Sequence, residues 1–486
     1  MPTDIPQHIQ TIYQKFHEAG FQLYLVGGCV RDMLTSRPIT DWDLTTNATP
    51  DEMLKLFPDA FYDNSFGTVG IPLKNEKEME NPEARLQLPS QSDGGQVVEV
   101  TTFRTERGYD DRRHPTEIKW GKTIEEDLSR RDFTMNAIAL DLNRNSGEEQ
   151  SDDSRIDSGQ ARMTEYNLID PYNGRQDIED KLIRAVGNPN ERFKEDALRL
   201  MRAIRFAAQL GFQIEEQTLA AITNDAPLLS EIAGERIRDE LLKLLASDYP
   251  YEGIMLLKNT GLLHQILPEL EEGIGMSQAR PGRHHKDDVF THNVLSLKFC
   301  LSTDPIVRFA TLIHDIGKPR VQSTDENGYV IFHNHEIVGS RLAYEICDRL
   351  RFSKKQRSKV TKLIRWHMFT VDEHITDSAV RRFIRRIGVE NVKDMMDLRV
   401  GDRLGGGTQT AESWRLKLFK ERVEKQLAPA PFSINDLAID GNDVMKELNL
   451  KPSRKIGEIL QKLFEEVDED LSKNTKEYLL ERIKSL

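Results

Sequence analysis

Two aspartates that stand two residues apart are the first candidates for chemistry. Asp41 and Asp43 lie in the stretch ITDWDLTTNATP. On a β-strand, residues two apart point to the same side, so both carboxylates would face one point. Like charges that close repel each other unless a cation lies between them. Because magnesium is bound through one or two carboxylates together with phosphate and water, the pair predicts a magnesium site in which Asp41 and Asp43 are catalytic.

A phosphate-binding turn is predicted just upstream of this pair. In FQLYLVGGCVRDMLT an apolar run is followed by Gly27, Gly28 and a helical pattern. Glycines at such a junction let backbone amides approach a phosphate, and the helix start adds its positive dipole end. Arg31 follows in the first helical turn and can pair with phosphate oxygens. Gly-Gly alone is typical of a tight turn, and two spaced aspartates alone are typical of a solvated acidic turn. Their succession favours a site for a phosphorylated ligand.

A third acid, Glu99, stands in the strand-like run VVEVTTFR. If this run lies beside the strand of Asp43, Glu99 would complete the metal shell. A purely structural role in the strand is an equally good interpretation, and the sequence leaves both open.

Side chains suited to a phosphorylated sugar stand in SRRDFTMNAIALD. Arg130 and Arg131 can contact phosphates, while Asp132 and Asn136 can hydrogen-bond to hydroxyl groups. A basic surface turn that leads into a strand is the alternative interpretation.

A predicted helix further along carries a charged residue at every third position. These residues are Asp196, Arg199, Arg202 and Arg205. Each step of three falls about 60° short of a full helical turn, so neighbouring members can touch while the row winds around the helix. An amphipathic helix with surface ion pairs gives the same pattern, so the row alone does not establish a function.

Histidines are concentrated in one part of the chain, since eight of the twelve lie between residues 284 and 374. His314 and Asp315 are adjacent on an apolar helical run, His292 precedes them on another predicted helix, and Asp402 follows in GDRLG. Such a set supplies the nitrogen and oxygen ligands that suit a divalent transition metal. This shift in composition predicts a separate metal-binding domain.

The bulk composition indicates several domains and no membrane partner. The chain has 486 residues, of which 38% are hydrophobic and 30% charged, and no apolar run approaches the ~18 residues of a membrane span. The N-terminus lacks a signal-peptide pattern. Three widely separated cysteines, Cys29, Cys300 and Cys347, predict neither a disulfide framework nor a zinc site. A cytoplasmic enzyme is the simplest interpretation.

The net charge of −13 argues against a generic nucleic-acid-binding surface, although it allows a local basic groove on an acidic body. The stretch AVRRFIRRIG is a candidate for such a groove. Its basic residues are Arg381, Arg382, Arg385 and Arg386. They would track an RNA backbone, or they form the solvated face of a helix, and both interpretations stay open.

Strand and helix signals alternate up to about residue 142, and helical patterns dominate from about residue 180, so we predict an α+β protein. The stretches 74–96 and 143–167 are polar and predict surface insertions, the first of them inside a hairpin with a long loop. The predicted domains are an α/β head (1–165), a helical neck (166–283), a metal-binding domain (284–405) and a helical tail (406–486).

Taken in order, these motifs resemble a known family. LVGGCVRD followed by DWDLTTNATP resembles the head signature of the DNA polymerase beta-like nucleotidyltransferases. More narrowly, it is similar to the bacterial tRNA nucleotidyltransferase and poly(A) polymerase family, which includes the class II CCA-adding enzymes. The resemblance continues through DLSRRDFTMNAIALD, LIDPYNGRQDIEDKLIRAVGNP and ERFKEDALRLMRAIRFAAQLGF, and it covers roughly residues 21–245.

The resemblance implies a reaction and assigns roles to residues. Such enzymes use Mg²⁺, CTP and ATP to add C, C and A to the 3′ end of tRNA without a nucleic-acid template, and they release pyrophosphate. The motif around Asp132 would recognise ribose, and Asp196 and Arg199 would read the amino group and ring acceptor of cytosine or adenine. Arg202 and Arg205 would hold the triphosphate or position the template pair. The implied nucleotide-binding residues are Gly27, Gly28, Arg31, Arg131, Asp132, Asn136, Asp196, Arg199, Arg202 and Arg205.

A charged segment over residues 104–128 bears on how many nucleotides are added. Members of this family that add only CC tend to lack such a segment. Its presence therefore favours addition of full CCA or of the terminal A.

The histidine-rich part resembles the HD phosphohydrolase domain. The resemblance implies a divalent transition metal or Mg²⁺ and hydrolysis of phosphate esters. On an enzyme that acts at RNA ends, the substrates would be a 2′,3′-cyclic phosphate or a terminal phosphomonoester, unless the domain binds metal without turnover. The matching ligands are His292, His314, Asp315 and Asp402, with His335 and His367 as weaker candidates for a second metal.

Three alternatives stay open at this point. The first is an A-adding enzyme or a poly(A) polymerase of the same family, and the acidic charge weighs against the polymerase. The second is an HD phosphohydrolase whose head only binds RNA, which the intact aspartate pair opposes. The third is a non-catalytic RNA-binding protein, which two sets of metal ligands oppose. The sequence does not predict an oligomeric state.

Overall fold

The structure, a computed structural model, forms two compact units, residues 1–266 and 267–486. The predicted insertion 74–96 lies outside the described residues, and so does the greater part of the insertion 143–167. The described residues are 5–39, 41–62, 67–73, 97–109, 115–144, 166–278, 287–369, 371–427 and 433–485.

A seven-stranded mixed sheet forms the centre of the first unit. Its order is β3-β4-β5-β2-β1-β8-β9, in which β2 and β5 are parallel and all other neighbours are antiparallel, while β6 and β7 form a separate hairpin. In chain order the strands are β1 (Leu23–Val26), β2 (Asp43–Thr46), β3 (Phe61–Tyr62), β4 (Thr68–Pro72), β5 (Val97–Thr102), β6 (Arg104–Tyr109), β7 (Pro115–Trp120), β8 (Ala139–Arg144) and β9 (Tyr166–Ile169).

The two strands of the predicted hairpin are present. β4 and β5 pair antiparallel, with Pro72 opposite Val97 at the end where the predicted insertion begins. Along β5 the side chains of Val98 and Val100 are buried, and Glu99 between them is exposed. This period of two is why the segment forms a strand with one face on the core.

Helices make up most of the first unit after β9, as predicted. Two-residue strands β10 (Leu182–Ile183) and β11 (Gln213–Ile214) pair in parallel between them. The helices of this unit are α1 (Gln7–Glu18), α2 (Gly28–Leu34), α3 (Pro50–Leu56), α4 (Ile124–Ser129), α5 (Gly174–Glu179), α6 (Pro189–Glu195), α7 (Leu198–Leu210), α8 (Glu216–Asp225), α9 (Gly234–Leu245), α10 (Pro250–Asn259) and α11 (Leu262–Ile266).

The described part of the second unit is helical apart from a short antiparallel pair, β12 (Ser323–Thr324) and β13 (Val330–Ile331), and an isolated bridge between Ser277 and Asp288. In the tail, apolar residues of three helices pack into one buried cluster that includes Ile459, Leu463 and Leu479. The helices are α12 (Pro268–Glu271), α13 (Val289–Lys298), α14 (Pro305–Leu312), α15 (Lys318–Val321), α16 (His335–Arg349), α17 (Lys354–Trp366), α18 (Asp377–Ile387), α19 (Val392–Gly405), α20 (Trp414–Leu427), α21 (Gly441–Glu447), α22 (Arg454–Glu469) and α23 (Lys476–Ile483).

The predicted α+β class is therefore confirmed, with the sheet in the head and helices in the rest of the described chain. Cys29, Cys300 and Cys347 are buried free thiols. Among the described residues, no helix combines the length and the apolar character needed to cross a membrane.

Two helices of the second unit approach each other closely at one glycine. α19 packs on α13 at Gly401, where an added Cβ atom would lie 2.6 Å from the carbonyl oxygen of Ser296. Real Cβ atoms essentially never come that near to another heavy atom, so only glycine fits. The contact brings Asp402, which follows Gly401, to His292, whose carbonyl oxygen accepts a hydrogen bond from the Ser296 hydroxyl.

We expect Gly401→Ala to destabilise the second unit by about 1–3 kcal/mol, because a methyl group added to a close-packed contact forces the helices apart. Gly457→Ala is the matched control, since an added Cβ there meets nothing within 4 Å. Its better helix propensity should stabilise the protein by roughly 0.5–1 kcal/mol. Urea unfolding measures both changes. An unfolding midpoint of Gly401→Ala at or above that of the wild type would contradict the packing.

Candidate active site and metal centre

The predicted strand, Gly-Gly turn and helix are present, and they bring three functional groups together. β1 ends at Val26, and Gly27, with φ of 75°, precedes the first residue of α2. A Cβ atom added at Gly27 would lie 2.7 Å from Nη1 of Arg131 and 3.6 Å from Oδ2 of Asp43. The positive φ favours glycine here, and an added Cβ would displace the guanidinium group of Arg131. A guanidinium and a carboxylate therefore converge on the turn.

The two aspartates are not on one strand, so this part of the prediction is wrong. β2 begins at Asp43, and Asp41 precedes it in an irregular segment. The predicted third acid does lie on the neighbouring strand, since Glu99 is directly beside Asp43 in the parallel pairing of β2 and β5. Within the described chain, the groups of three possible ligands that come within 4.8 Å of one another lie in the second unit. The role of Glu99 as a metal ligand thus stays a prediction.

Electrostatics at Asp43 fit a bound cation. The residue keeps an exposed edge, but burial of its carboxyl group raises its pKa, Arg131 lowers the pKa, and Asp41 raises it again. Carboxylate oxygens are hard ligands, and magnesium prefers such ligands. Asp41 and Asp43 would hold this ion.

A chain of hydrogen bonds connects the turn to helix α7. Nη1 of Arg31 donates to Oδ1 of Asn136 over 2.9 Å, and Nδ2 of Asn136 donates to Oδ1 of Asp132 over 3.1 Å. Nε and Nη2 of Arg202 donate to the other oxygen of Asp132 over 2.8 and 2.5 Å. With the amide of Phe133 as a further donor, each oxygen of Asp132 already accepts two hydrogen bonds. The residues predicted to contact the sugar therefore form one network.

The ring of Phe206 is surrounded by three guanidinium groups. Its centroid is 3.9 Å from Cζ of Arg205, 5.0 Å from that of Arg31 and 5.5 Å from that of Arg202. Cations are attracted to the face of an aromatic ring at such distances. Nε of Arg205 also pairs with Oε2 of Glu240 over 2.6 Å. Neither Phe206 nor Glu240 was among the site residues predicted from the sequence.

Burial and neighbouring charges shift the pKa values of two residues in this network. Burial raises the pKa of Asp132, but the Arg202 guanidinium outweighs it and lowers the pKa to about 2. Burial lowers the pKa of Arg205 to about 10, opposed by Glu240 and assisted by Arg202.

The two residues predicted to read the base do not lie in one helical row, so this part of the prediction is wrong. Asp196 has extended backbone angles and stands between α6 and α7, where its Oδ1 accepts from the amide of Leu198. Its Oδ2 accepts from Nη2 of Arg236 over 2.9 Å. Nη1 of Arg199 pairs with Oε2 of Glu195 over 2.5 Å. The spacing of three on a helix applies to Arg199 and the two arginines after it.

A buried acid that sequence reasoning missed orients the two arginines before Asp132. Asp127 has no exposed surface, and it accepts from Nη2 of Arg130 over 2.8 Å and from Nη2 of Arg131 over 3.1 Å. Burial raises the pKa of Asp127, but the two guanidinium groups lower it by more, so that the net shift is downward. The spacing of three and four residues along helix α4 was the available signal.

We expect Asp132→Asn to destabilise the first unit by about 2 kcal/mol at pH 7. The pKa of about 2 in the folded protein lies below the ordinary 3.8, so the carboxylate contributes stability above pH 4. That contribution is lost as the pH falls from 4 towards 2, and the variant should therefore lose less stability over this range. Urea unfolding at pH 7 and pH 3 measures both. Equal losses in the two proteins would contradict the assigned pairing.

The metal ligands predicted in the second unit converge on one centre. Nε2 of His292 lies 3.2 Å from Nε2 of His314, 3.3 Å from Oδ2 of Asp315 and 3.3 Å from Oδ1 of Asp402. One structural detail differs from the prediction. Helix α14 ends at Leu312, so His314 and Asp315 lie in the turn that follows it.

The two weaker candidates complete a second set around the other oxygen of Asp315. Nε2 of His335 lies 3.3 Å and Nε2 of His367 3.6 Å from Oδ1 of Asp315. The Nδ1 atoms of His314, His335 and His367 lie 2.7–2.8 Å from backbone carbonyl oxygens. A proton on each Nδ1 therefore leaves Nε2 free as a metal ligand.

The charges of this centre favour a cation. Burial raises the pKa of Asp315, but Lys318 and the neighbouring imidazoles hold it well below its usual range. Burial lowers the pKa of His292, but hydrogen bonds to Asp315 and Asp402 raise it to about 9. Nζ of Lys318 lies 2.5 Å from Oδ2 of Asp315. Lys318 stands in the HDIGK motif and was missed. Nitrogen and carboxylate ligands together suit a divalent transition metal.

Half of the predicted basic groove is a structural contact. Nε of Arg381 donates to Oδ1 of Asp468 over 2.7 Å, and Nη2 of Arg385 donates to its Oδ2 over 2.6 Å. These two arginines join α18 to α22. Arg382 and Arg386 are exposed, so the prediction of an RNA-tracking surface now concerns only them.

Three protein-family models match parts of the chain. The model of the poly A polymerase head domain matches residues 23–184. That of the RNA- and SrmB-binding site of polymerase A matches residues 211–274, and that of tRNA nucleotidyltransferase domain 2 matches residues 328–483.

Curated relatives are similar over different lengths. The CCA-adding enzyme of Geobacillus thermodenitrificans is 40% identical over 262 residues, which is 54% of each chain. The chain thus spans about half the length of this relative and of others like it. The A-adding tRNA nucleotidyltransferase of Deinococcus radiodurans is 37% identical over 355 residues, which is 70% of this chain and 75% of that protein.

Two solved structures are similar over nearly the whole chain. The Bacillus stearothermophilus CCA-adding enzyme in complex with CTP has a TM-score of 0.70 and 25% identity, and the similarity covers 99% of both chains. The Thermotoga maritima CCA-adding enzyme complexed with tRNA has a TM-score of 0.55 and 19% identity over 99% of this chain and 96% of that one, which shows the fold alone.

Proposed function

Because the chain belongs to the tRNA nucleotidyltransferase family, we propose that it adds C, C and A to the 3′ end of tRNA from CTP and ATP. The observation that carries this proposal is the convergence of Gly27, Arg131 and Asp43 at the start of α2. A nucleotidyltransferase must hold a triphosphate and its metal at one point, and this is where the chain offers groups for both. The names of the relatives, CCA-adding and A-adding, support transfer to tRNA.

The residues of the head divide the work of the reaction. Asp41 and Asp43 would hold Mg²⁺, which supplies charge neutralisation on the triphosphate and lowers the pKa of a hydroxyl nucleophile. Arg131 and the backbone amides at the start of α2 would bind phosphate oxygens. The 3′-hydroxyl of tRNA attacks the α-phosphorus of the bound nucleotide, the new phosphodiester bond forms, and pyrophosphate leaves.

Sugar and base selection follow from the hydrogen-bonding capacity that remains. Since both oxygens of Asp132 are saturated, we assign it to positioning Asn136 and Arg202, which would contact the ribose and phosphates. Oδ2 of Asp196 accepts one hydrogen bond, from Arg236, and so has a lone pair for the amino group of cytosine or adenine. Arg199 would donate to the ring acceptor beside that amino group. Uracil lacks the amino group and would be rejected.

Asp41→Ala should abolish incorporation of labelled CTP and ATP into tRNA that lacks CCA, because the metal loses one of its two carboxylates. The length of the labelled products, resolved on a gel, separates the candidate functions. Addition that stops after CCA supports the proposal, addition of A only to tRNA ending in CC supports an A-adding enzyme, and long A tails support a poly(A) polymerase. A folded wild-type protein that incorporates no nucleotide would contradict all three.

We also propose that the second unit hydrolyses phosphate esters at RNA ends. The supporting observation is the sharing of Asp315 between two histidine sets, one at each carboxylate oxygen. Bound there, divalent metal ions would polarise the phosphate ester and supply a nucleophile, and the buried histidines would hold them. Asp315→Ala should abolish this hydrolysis and leave nucleotide incorporation intact. Loss of both activities in the folded variant would contradict two separate sites.

The sharing of Asp315 also predicts metal stoichiometry. In an Asp41→Ala, Asp43→Ala background, which removes the head site, the protein should bind two Co²⁺ ions per chain. His367→Ala should reduce this to one, since the second set then keeps a single histidine. His374→Ala is the control, because that side chain is 87% exposed and should leave binding unchanged. Calorimetric titration and the Co²⁺ absorption spectrum measure the change, and a single ion in the background protein would refute the second site.

A further inference from the structure

A basic pocket lies beside the metal centre of the second unit. Its volume is about 360 Å³. Arginines supply its charge, aromatic rings supply its flat surfaces, and no carboxylate is among the described lining residues. The residues that carry the argument are Phe369, Arg399, Arg403, Trp414 and Arg415.

A direct contact connects this pocket to the metal ligands. Nη1 of Arg399 donates to Oδ2 of Asp402 over 2.8 Å, and Oδ1 of Asp402 lies 3.3 Å from Nε2 of His292. The pocket is therefore one carboxylate away from the centre. A group bound by Arg399 would lie near Asp402, which is one of the predicted metal ligands.

Arg403 has unused capacity for an anion. Its Nε is buried and has no hydrogen-bond partner among the described residues. Buried polar groups in folded proteins are almost always paired, and Arg403 lines the pocket, so a ligand in the pocket could supply an acceptor for this guanidinium group. Arginine is the side chain best suited to bind phosphate oxygens through several hydrogen bonds.

Trp414 offers a surface for a nucleobase. It is the first residue of helix α20, and 58% of it is exposed. Cζ of Arg415 lies 5.3 Å from its ring centroid, and Cζ of Arg399 lies 5.5 Å from that of Phe369. Aromatic rings combined with arginine are the common means of binding single-stranded nucleic acid, and the start of a 14-residue helix adds backbone amides that favour phosphate.

We propose that this pocket binds the 3′-terminal nucleotide of an RNA strand that ends in a phosphate. The base stacks on Trp414, and the phosphate lies between Arg403 and Arg399. This placement presents the phosphate to the metal centre. Presentation rests on the proposed hydrolase function, whereas binding does not. The charge and the exposed ring together favour a nucleotide over a plain anion, because a plain anion needs no stacking surface.

Binding of a short oligoribonucleotide tests the proposal. Fluorescence anisotropy compares one strand with a 3′-phosphate and the same strand with a 3′-hydroxyl, in EDTA so that no turnover occurs. The wild type should bind the phosphorylated strand about tenfold more tightly, and Arg403→Gln should remove that preference. Trp414→Ala should weaken binding of both strands about tenfold, and Trp414→Phe should keep most of the affinity because a ring remains.

Arg454→Gln is the matched control. This arginine is 95% exposed in the same unit, so its loss removes the same charge away from the pocket and should leave the affinity unchanged. Circular dichroism confirms that each variant is folded. The proposal is overturned if Arg403→Gln and Trp414→Ala bind both strands like the wild type, or if Arg454→Gln weakens binding as much as they do. If binding behaves as expected but the metal-loaded wild type releases no phosphate, the proposed hydrolase function is contradicted and the proposed nucleotide-binding pocket is supported.

Discussion

Close packing of several arginines around one aromatic ring is the constraint on which the candidate active site depends. Arg31, Arg202 and Arg205 surround Phe206, and like charges this close repel each other in an environment with little water. Buried charges persist only when each has a partner. The partners here are Asp32, Asp132 and Glu240. The acids therefore hold the arginines in place, and a phosphorylated ligand meets groups that are already oriented.

In the second unit the charges that lie close together are carboxylates, and they too are paired with neighbouring groups. Its centre concentrates two carboxylates and four imidazoles. Asp315 and Asp402 raise the pKa of His292, whereas Lys318 and the imidazoles lower the pKa of Asp315, so the carboxylates stay ionised. The head offers carboxylate oxygens, which favour magnesium, whereas imidazole nitrogens favour transition metals. The two proposed sites would therefore select different metals, because their ligand atoms differ.

Local patterns predicted the elements of the site well. The turn at Gly27, the strand pair that aligns Glu99 with Asp43, and the helix of His292 all follow from apolar periodicity and glycine placement. One error was avoidable. An aspartate just before an apolar run often marks a helix start, and Oδ1 of Asp196 does accept from the amide of Leu198, the first residue of α7.

The rest depended on contacts between residues distant in sequence. Arg236 reaches Asp196 across 40 residues, and Asp468 holds Arg381 across 87. No local pattern encodes such a pairing, because the partner is determined by how helices pack. For the same reason the sequence left two interpretations open for the arginines of α18, since contacts with α22 cover one face of that helix.

Net charge is a poor guide to where this protein can bind an anion. The chain carries −13 overall, yet what matters at any point is whether a given cation is cancelled by a neighbouring acid. Asp468 pairs with both Arg381 and Arg385, which holds their guanidinium groups in a contact between helices and leaves one net positive charge on the three side chains. Arg403 is different, because its buried Nε has no partner in the described part of the chain. Capacity for phosphate therefore follows from the pairing of each arginine, and counting basic residues in the sequence does not reveal it.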